Sequence, residues 1–336
     1  MPKAFIIAEA GVNHNGSLDL AIQLIDTARA AGADAVKFQT FRADALAARS
    51  AHKAAYQDRT TSRDESQLEM LRRLELDEAA HRRLIEHCES VGIRFLSSPF
   101  DHESVDLLAS MNLPIFKIPS GEITNHPFLR HIAGKGKPII LSTGMCTLDE
   151  VKEAVDVLRD AGAHDITLLH CVTEYPTPYP QVNLRAMLTL KEAFGLPVGY
   201  SDHTPGIEIS VAAVALGAEV IEKHFTLDRT LPGPDHAASL EPAELAQMVS
   251  SIRHVEEALG NGIKMPAPCE IPNISVARKS VVAARALSAG HTLREADLAI
   301  KRPGNGLAPK TLPDLVGRTL RVAIGQDELL HWDQLA

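Results

Sequence analysis

The stretch PVGYSDHTPGIEISVAAVALGAEVIEKHFTL, residues 197–227, contains a strand, a helix and a second strand in that order. Its two ends, Pro197–Thr204 and Val220–Leu227, are short and rich in β-forming residues, whereas Ile207–Leu216 has the 3.6-residue periodicity of a helix. Gly217 follows this periodic segment, where a helix commonly ends. The stretch therefore predicts a βαβ unit with two parallel strands.

The same unit recurs towards the N-terminus. Helical periodicity is found in Leu18–Ala31, Asp77–Val91 and Leu148–Ala161, and Gly32, Gly92 and Gly162 end these segments. Six further strands are predicted in front of the quoted pair: Ala4–Gly11, Ala33–Phe41, Ile93–Phe100, Ile115–Glu122, Pro138–Met145 and Ile166–Pro176. Eight alternations within about 230 residues predict an α/β fold of the (β/α)₈ TIM-barrel type. A doubly wound open sheet is the alternative, although eight parallel strands are many for it.

Nearly every predicted strand begins with apolar residues and ends with polar ones. Ala8-Glu9, Lys37-Phe38-Gln39, Ser201-Asp202-His203 and Glu222-Lys223-His224 are examples. A barrel brings all eight carboxyl ends of its strands to one face, and active sites of such barrels lie there. Turn residues alone would explain Ser or Asn at these positions, but not charged and imidazole groups within apolar strands.

Composition excludes several classes of protein. The chain has 336 residues, of which 45% are hydrophobic, and its formal net charge is −9. These values exclude a disordered chain, a collagen and a disulfide scaffold, and they argue against nucleic-acid or anionic-membrane binding. No apolar run is long enough to span a membrane, and the early Glu9 in the N-terminal segment from Met1 argues against a signal peptide. Four separated cysteines without a CxxC pair indicate reduced thiols, so we expect a cytoplasmic protein.

The remainder of the chain predicts a second, smaller domain. Residues 1–262 form the predicted barrel, a Pro- and Gly-rich linker covers 263–276, and a domain of short strands covers 277–336. Within the barrel, Lys53–Asp77 is polar and rich in charge, and we interpret it as an excursion of a βα loop over the barrel mouth.

Two histidines end the seventh and eighth predicted strands. His203 and His224 would lie side by side if those strands are neighbours, within reach of one divalent ion. Two nitrogen ligands suit Mn²⁺, Zn²⁺, Co²⁺ or Fe²⁺ and leave positions for water and substrate oxygens. A single strand-end histidine is more often a hydrogen-bonded structural residue, so the hypothesis depends on the pair.

Two lysines and five hydroxyl residues share the same predicted face. Lys37 and Lys117 must point to the barrel mouth, because a packed interior would strip water from their ammonium groups. Such lysines among hydroxyls predict an oxyanion site, with phosphate as the expected ligand. A lysine inside a barrel also permits a Schiff base, as in class I aldolases. The hydroxyl residues at strand ends three to seven are Ser98, Ser120, Ser142, Thr173 and Ser201.

Carboxylates also reach this face. Glu9, Glu122, Glu174 and Asp235 could act as acid or base, or could bind sugar hydroxyls. A solvated loop position explains Glu174 equally well. In the small domain, Lys301–Gly306 is a basic, glycine-rich turn whose residues alone indicate no function.

Taken in order, these motifs resemble the sialic acid synthase family, the phosphoenolpyruvate-dependent nonulosonate synthases. The resemblance covers essentially the whole chain, and its C-terminal part is similar to the antifreeze-like SAF module of β-clip type, including Lys301-Arg302-Pro303-Gly304-Asn305-Gly306. The matching phrases in the barrel are Ala8-Glu9-Ala10-Gly11-Val12-Asn13-His14-Asn15-Gly16, Lys37-Phe38-Gln39, Lys117-Ile118-Pro119-Ser120-Gly121-Glu122, Leu141-Ser142-Thr143-Gly144-Met145, Tyr175-Pro176-Thr177-Pro178, Gly199-Tyr200-Ser201-Asp202-His203, Glu222-Lys223-His224-Phe225-Thr226 and Pro232-Gly233-Pro234-Asp235-His236.

The resemblance implies roles for single residues. His203 and His224 match the ligands of Mn²⁺, with Mg²⁺ or Co²⁺ as other options. Arg302 matches an arginine that reaches the active site of a partner subunit in a domain-swapped homodimer. Residues matching phosphoenolpyruvate contacts are Lys37, Ser98, Lys117, Ser120, Ser142, Thr173 and Ser201, and those matching sugar contacts are Gln39, Glu122, Tyr175 and Asp235.

The implied reaction condenses phosphoenolpyruvate with open-chain N-acetylmannosamine and water to a nine-carbon sugar acid and phosphate, and Glu9 or Glu122 would handle the water. Thr173 stands where some N-acetylneuraminate synthases have asparagine, and Glu174 beside Tyr175 resembles versions acting on bacillosamine-type sugars. N,N′-diacetyllegionaminate synthase, acting on 2,4-diacetamido-2,4,6-trideoxymannose, is therefore the alternative. A Schiff-base aldolase and a non-catalytic carbohydrate-binding protein are alternatives of other classes.

Overall fold

The computed structural model describes residues 3–61 and 65–336. Met1–Pro2 of the N-terminal segment and residues 62–64 of the predicted Lys53–Asp77 excursion lie outside the described residues. The chain divides into two compact units, Met1–Gly260 and Asn261–Ala336.

The first unit is built on a sheet of eight parallel strands in the order β3-β2-β1-β8-β7-β6-β5-β4. The first strand pairs with both the second and the eighth, so the sheet curls into a barrel whose seam lies between β3 and β4. The predicted TIM-barrel class is confirmed, because the open-sheet alternative would leave the first and eighth strands unpaired with each other. The strands are β1 Phe5–Gly11, β2 Ala35–Thr40, β3 Arg94–Pro99, β4 Phe116–Ile118, β5 Ile139–Ser142, β6 Ile166–Cys171, β7 Val198–Asp202 and β8 Val220–His224.

Helices connect the strands. Side chains of Ser17, Asp77 and Thr147 cap their helices, and Gly32, Gly92, Gly162 and Gly217 have positive φ where the sequence predicted helix ends. No helix among the described residues is long and apolar enough to cross a membrane. The helices of this unit are α1 Leu18–Ala30, α2 Ala43–Leu46, α3 Ala55–Thr60, α4 Gln67–Leu74, α5 Glu78–Val91, α6 His102–Ser110, α7 His126–Ala133, α8 Leu148–Asp160, α9 Ala186–Phe194, α10 Glu208–Ala215 and α11 Pro242–Leu259.

The alternation of strand side chains separates two cores. One set faces the helices and forms the main core, while the other faces the barrel axis. The axial set forms an apolar floor, defined by Phe5, Ile7, Ala35, Leu96, Ile115, Ile140, Leu169 and Val220. Strand β7 contributes only Gly199 to this level, because a Cβ there would lie 2.2 Å from the carbonyl oxygen of Val220 and 2.7 Å from Cδ2 of Leu169. Two residues beyond the floor, the axial side chains become polar.

The second unit has its own small core. Strands β9 Ser280–Ala283 and β10 Leu298–Lys301 pair antiparallel, and helices α12 Ile271–Ala277 and α13 Leu312–Leu315 complete its main elements. The segment 263–276, interpreted from the sequence as a linker, includes most of α12. The core residues include Val281, Leu293, Leu315, Leu320 and Leu330.

Candidate active site

A cavity of about 250 Å³ opens above the apolar floor, at the carboxyl ends of the barrel strands. The strand alternation explains its chemistry, because each axial residue two positions beyond the floor points into it. Predicted site residues that line the cavity are Glu9, Lys37, Gln39, Ser98, Lys117, Ser120, Ser142, Thr173, Tyr175, Ser201, His203, His224 and Asp235.

The two histidines lie together, with ring centroids 5.5 Å apart. His203 Nδ1 donates a hydrogen bond to the carbonyl oxygen of Val172 (2.6 Å), so its Nε2 carries the lone pair. His224 Nδ1 is buried without a hydrogen-bond partner among the described residues. Burial lowers the pKa of His203 to about 4 and holds the pKa of His224 well below its ordinary value. Both imidazoles are therefore neutral at pH 7, as metal ligands must be.

These histidines fit a divalent ion that takes its other ligands from substrate and water. Among residues 3–61 and 65–336, no group of three or more His, Cys, Asp or Glu side chains is arranged to hold a metal. The fit therefore rests on two protein nitrogens, including the unpartnered Nδ1 of His224.

Tyr175 and Asp235 surround the imidazole pair. The Tyr175 ring lies against His203 with centroids 4.1 Å apart and meets the ring of His224 edge-on at 5.5 Å. Asp235 Oδ2 lies 4.0 Å from His224 Nδ1, and burial raises the pKa of Asp235 to about 6. A ligand on the histidines would thus contact an aromatic face and a carboxyl group.

The two lysines belong to a buried chain of alternating charges. Lys37 Nζ lies 2.7 Å from Glu9 Oε2 and 3.6 Å from Glu222 Oε2, and Lys117 Nζ lies 3.0 Å from Glu222 Oε1. Lys37 also donates to Ser98 Oγ (2.9 Å), and Ser201 donates to Glu222 Oε1 (3.0 Å). These partners offset the cost of burying two ammonium groups.

The chain sets the protonation of its carboxylates. Burial alone would raise the pKa of Glu222, but Lys117 and Lys37 hold it well below its ordinary range. Burial raises the pKa of Glu9 to about 7, against the opposing effect of Lys37. Glu222 is therefore the permanent anion between the two lysines. It was not among the predicted site residues.

Schiff-base chemistry is disfavoured at both lysines. An amine nucleophile needs a lowered pKa. Burial alone would lower the pKa of Lys37, but Glu222 and Glu9 outweigh it and the pKa is raised. The Lys117 ammonium is paired with Glu222.

Hydroxyl groups line the side of the cavity formed by strands three to seven. Ser120 Oγ accepts from the Gly144 backbone N–H (2.9 Å) and lies 3.2 Å from Cys171 Sγ. A Cβ on Gly144 would lie 2.9 Å from that sulfur, so glycine keeps the space beside Ser120 and Cys171 open. Ser142 Oγ is buried with no hydrogen-bond partner in the described part of the chain. An unpartnered hydroxyl in the same cavity as two lysines suits an anion.

Two of the predicted carboxylates in the first unit, Glu122 and Glu174, do not line the cavity. Glu122 is not among the lining residues, and its Oε2 accepts from Asn125 Nδ2 (2.7 Å) in the turn after β4. Arg302 lies in the second unit, where it is exposed and its Nε donates to the carbonyl oxygen of Ala277 (3.1 Å).

Six apolar residues that the sequence interpretation missed also line the cavity. They are Val12, Leu46, Met70, Leu71, Leu74 and Phe100.

Fold and site together define the class: a (β/α)₈ barrel whose cavity contains an imidazole pair and two buried lysines. The model of the NeuB family matches residues 24–264, and that of the SAF domain matches residues 278–336. The chain therefore belongs to the NeuB family and carries a C-terminal SAF domain. The resemblance to sialic acid synthases inferred from the motifs is confirmed, and the chain is an enzyme of the synthase type.

Named relatives agree with this assignment. The chain is 54% identical to N,N'-diacetyllegionaminic acid synthase of Campylobacter jejuni, covering 98% of this chain and 100% of the relative. It is 48% identical to the Legionella pneumophila protein of that name, covering 98% and 94%. The solved structure of N-acetylneuraminic acid synthetase from Leptospira borgpetersenii, in complex with citrate, is 38% identical, with a TM-score of 0.71 over 81% of this chain and 90% of that one.

Proposed function

We propose that this chain condenses phosphoenolpyruvate with an open-chain N-acetylated mannosamine-type sugar and water, giving a nonulosonic acid and inorganic phosphate. The observation that carries the proposal is the pair of neutral imidazoles facing two buried lysines in one cavity. Carbon 3 of phosphoenolpyruvate bonds to the aldehyde carbon, water oxygen adds at carbon 2, and the bond between carbon 2 and the phosphate oxygen breaks.

The acceptor that we favour is 2,4-diacetamido-2,4,6-trideoxymannose, with N-acetylmannosamine as the second candidate. Two relatives named for N,N'-diacetyllegionaminic acid support the first, and the Leptospira structure supports the second. Neither acceptor carries a phosphate. This agrees with the described lining residues, whose cations, Lys37 and Lys117, are both within the barrel strands.

The lysines and hydroxyls would hold the phosphoenolpyruvate. Its phosphate and carboxylate need cations and donors, which Lys37, Lys117, Ser120 and Ser142 offer within the cavity. Ser98, Thr173 and Ser201 add further hydroxyls. Fixed orientation of both substrates supplies a large part of the acceleration in such condensations.

The histidines and carboxylates would act on the acceptor and the water. A divalent ion on His203 and His224, Mn²⁺ by preference with Mg²⁺ or Co²⁺ as alternatives, would polarise the aldehyde oxygen. Tyr175, Asp235 and Gln39 would orient the sugar beside these imidazoles. Glu9, whose pKa burial raises to about 7, would move the proton of the attacking water.

Phosphate release tests this function. Enzyme with Mn²⁺ and phosphoenolpyruvate should release phosphate when either sugar is added, faster with the diacetamido sugar, and chelation should stop it. Chelator-resistant turnover with a borohydride-trapped adduct on Lys37 or Lys117 would instead support an aldolase. Sugar binding without turnover would support a carbohydrate-binding protein.

Glutamine variants distinguish the two candidates for handling water. Glu9→Gln should lower kcat by about 100-fold, within the range of general acid–base catalysis, and Mn²⁺ affinity should not change. Glu122→Gln should have a smaller effect, because that carboxylate pairs with Asn125. Stopped-flow phosphate detection and Mn²⁺ titration measure the two quantities. Full rates in both variants would refute this assignment.

The second unit has a proposed role in assembly. We propose a cytoplasmic homodimer, domain-swapped through the SAF domain, in which Arg302 completes the partner's sugar site. We retain the division into a barrel (1–262), a linker (263–276) and the SAF domain (277–336). Arg302→Ala mixed with a Glu9→Gln variant should regain activity if each subunit completes the other's site.

A further inference from the structure

The cavity has a mixed lining. Lysines, hydroxyls and imidazoles form much of it. Six apolar residues also line it, and we define them as the apolar wall: Val12, Leu46, Met70, Leu71, Leu74 and Phe100. Val12 and Phe100 follow β1 and β3, and the other wall residues belong to helices α2 and α4.

The wall is a packed structure of its own. Met70 and Leu74 are 1% and 3% exposed and pack with Val12 and Phe41. Leu46, Leu71 and Phe100 pack against this cluster and remain partly exposed. The Ser66 side chain caps α4 and Glu69 returns the hydrogen bond to the Ser66 backbone, which fixes where the helix begins. A preformed apolar surface inside a polar cavity implies a ligand with apolar groups at that place.

Only one substrate can supply such groups. The following step rests on the proposed function. Phosphoenolpyruvate is a small anion in which two of the three carbon atoms are bonded to oxygen and no methyl group is present, so it suits the polar lining residues. Methyl groups occur on the acceptor alone: one acetamido methyl in N-acetylmannosamine, and two acetamido methyls plus the carbon 6 methyl in the diacetamido trideoxy sugar.

We propose that the apolar wall is the subsite for the methyl groups of the acceptor and selects the diacetamido trideoxy sugar over N-acetylmannosamine. A hydroxyl at carbon 6 would lose hydrogen bonds to water against this wall, whereas a methyl gains contact there. One methylene group in a hydrophobic pocket changes kcat/KM by about 10- to 200-fold. The wall thus accounts for a strong preference for the diacetamido trideoxy sugar, without a hydrogen bond to the distal end of that sugar.

Leu71 and Leu46 are the positions at which to test the wall. Both side chains are half-buried, and glutamine keeps their approximate size and a good helix propensity. The matched control is Leu188→Gln, the same substitution at an exposed position of α9 that does not line the cavity. Circular dichroism melting establishes that each variant is folded.

The deciding quantity is the ratio of kcat/KM for the diacetamido trideoxy sugar to that for N-acetylmannosamine. We expect Leu71→Gln and Leu46→Gln each to lower this ratio at least tenfold, while Leu188→Gln leaves it within twofold of the wild-type value. A ratio unchanged in both wall variants overturns the inference, as does a wild-type preference for N-acetylmannosamine.

Calorimetric binding separates this inference from the proposed function. If the wild-type enzyme releases no phosphate with either sugar, the proposed condensation fails. The wall is then judged by the Kd of each sugar for the Mn²⁺-loaded protein. Tighter binding of the diacetamido sugar that weakens at least tenfold in Leu71→Gln supports the wall, and equal binding of both sugars overturns it.

Discussion

At the scale of single residues, Glu222 organises the cavity. Its two oxygens face Lys117 and Lys37 at 3.0 and 3.6 Å, and Ser201 donates to it. The two ammonium groups would repel each other without this carboxylate. Glu222 offsets this repulsion and so keeps both lysines at the proposed anion site.

Replacing Glu222 with the neutral glutamine should therefore damage anion binding. We expect Glu222→Gln to lower kcat/KM for phosphoenolpyruvate by about 100-fold, comparable to the loss of one fixed electrostatic group in other active sites. Steady-state kinetics with saturating sugar measure it. Glu257→Gln, an exposed position on α11, is the control. A change below threefold in Glu222→Gln would contradict the role assigned to it.

The sequence predicted the polar strand ends but not which of their side chains point to the barrel axis. Glu222 and His224 are two residues apart on β8 and both face the axis, whereas Lys223 faces the helices. Applying the period of two to each strand would have found Glu222 from His224. The position of Glu122 could not be found this way, because it lies in an irregular turn beyond β4.

At the scale of elements, the outer faces of β7 and β8 carry a buried ion pair. Lys223 Nζ lies 3.0 Å from Asp202 Oδ2, and the two side chains are 1% and 0% exposed. Asp202 also accepts from Thr204 and Ser210, which ties the turn after β7 to helix α10. The pair holds these strands in register from the side opposite to His203 and His224.

Breaking this pair should destabilise the barrel. Lys223→Met leaves the Asp202 carboxylate buried and uncompensated, so the free energy of unfolding should fall by about 3–5 kcal/mol. Urea denaturation followed by circular dichroism measures the loss. Adding Asp202→Asn should recover part of it, because no uncompensated charge then remains. If the double variant loses more unfolding free energy than the two single variants lose together, the two residues do not form a coupled pair.

Helix α4 was not predicted from the sequence. The Lys53–Asp77 segment was interpreted from its charge as a polar excursion, yet its described part contains two helices and much of the apolar wall. The capping-box pattern of Ser66 and Glu69 and the spacing of Met70, Leu71 and Leu74 were the available signals. Average composition hid them, because one face of a short helix contributes few apolar residues.

At the scale of the whole molecule, the two units have separate cores, so the unfolding of each can be monitored separately. The only tryptophan of the chain, Trp332, lies in the second unit with the Arg318 guanidinium 5.4 Å from its ring. Its fluorescence therefore reports on that unit. Within it, Asp297 accepts hydrogen bonds from His291, the Arg294 backbone N–H and Arg285.

These bonds make the stability of the second unit depend on pH. His291, the Arg294 backbone and Arg285 hold the pKa of Asp297 well below its ordinary value of about 3.9. A carboxyl group whose pKa is lower in the folded than in the unfolded state stabilises the fold at pH values above its unfolded pKa. This stabilisation is lost as the pH falls through the folded pKa. Asp297→Asn should lower the unfolding free energy by about 2 kcal/mol at pH 7. Urea titrations monitored by Trp332 fluorescence should show the difference shrinking below pH about 4. A difference independent of pH would contradict this assignment.

The separation of the apolar wall from the strand chemistry has an evolutionary consequence. The lysines, Glu222 and the histidines lie on strands, where a shift of one residue would turn every side chain to the opposite face. Much of the wall lies on α2 and α4, inserted between β2 and α5, where insertions and substitutions leave the strand register intact. Gene duplicates can therefore vary the wall, the proposed acceptor subsite, by remodelling one inserted segment while the strand residues of the cavity stay in place.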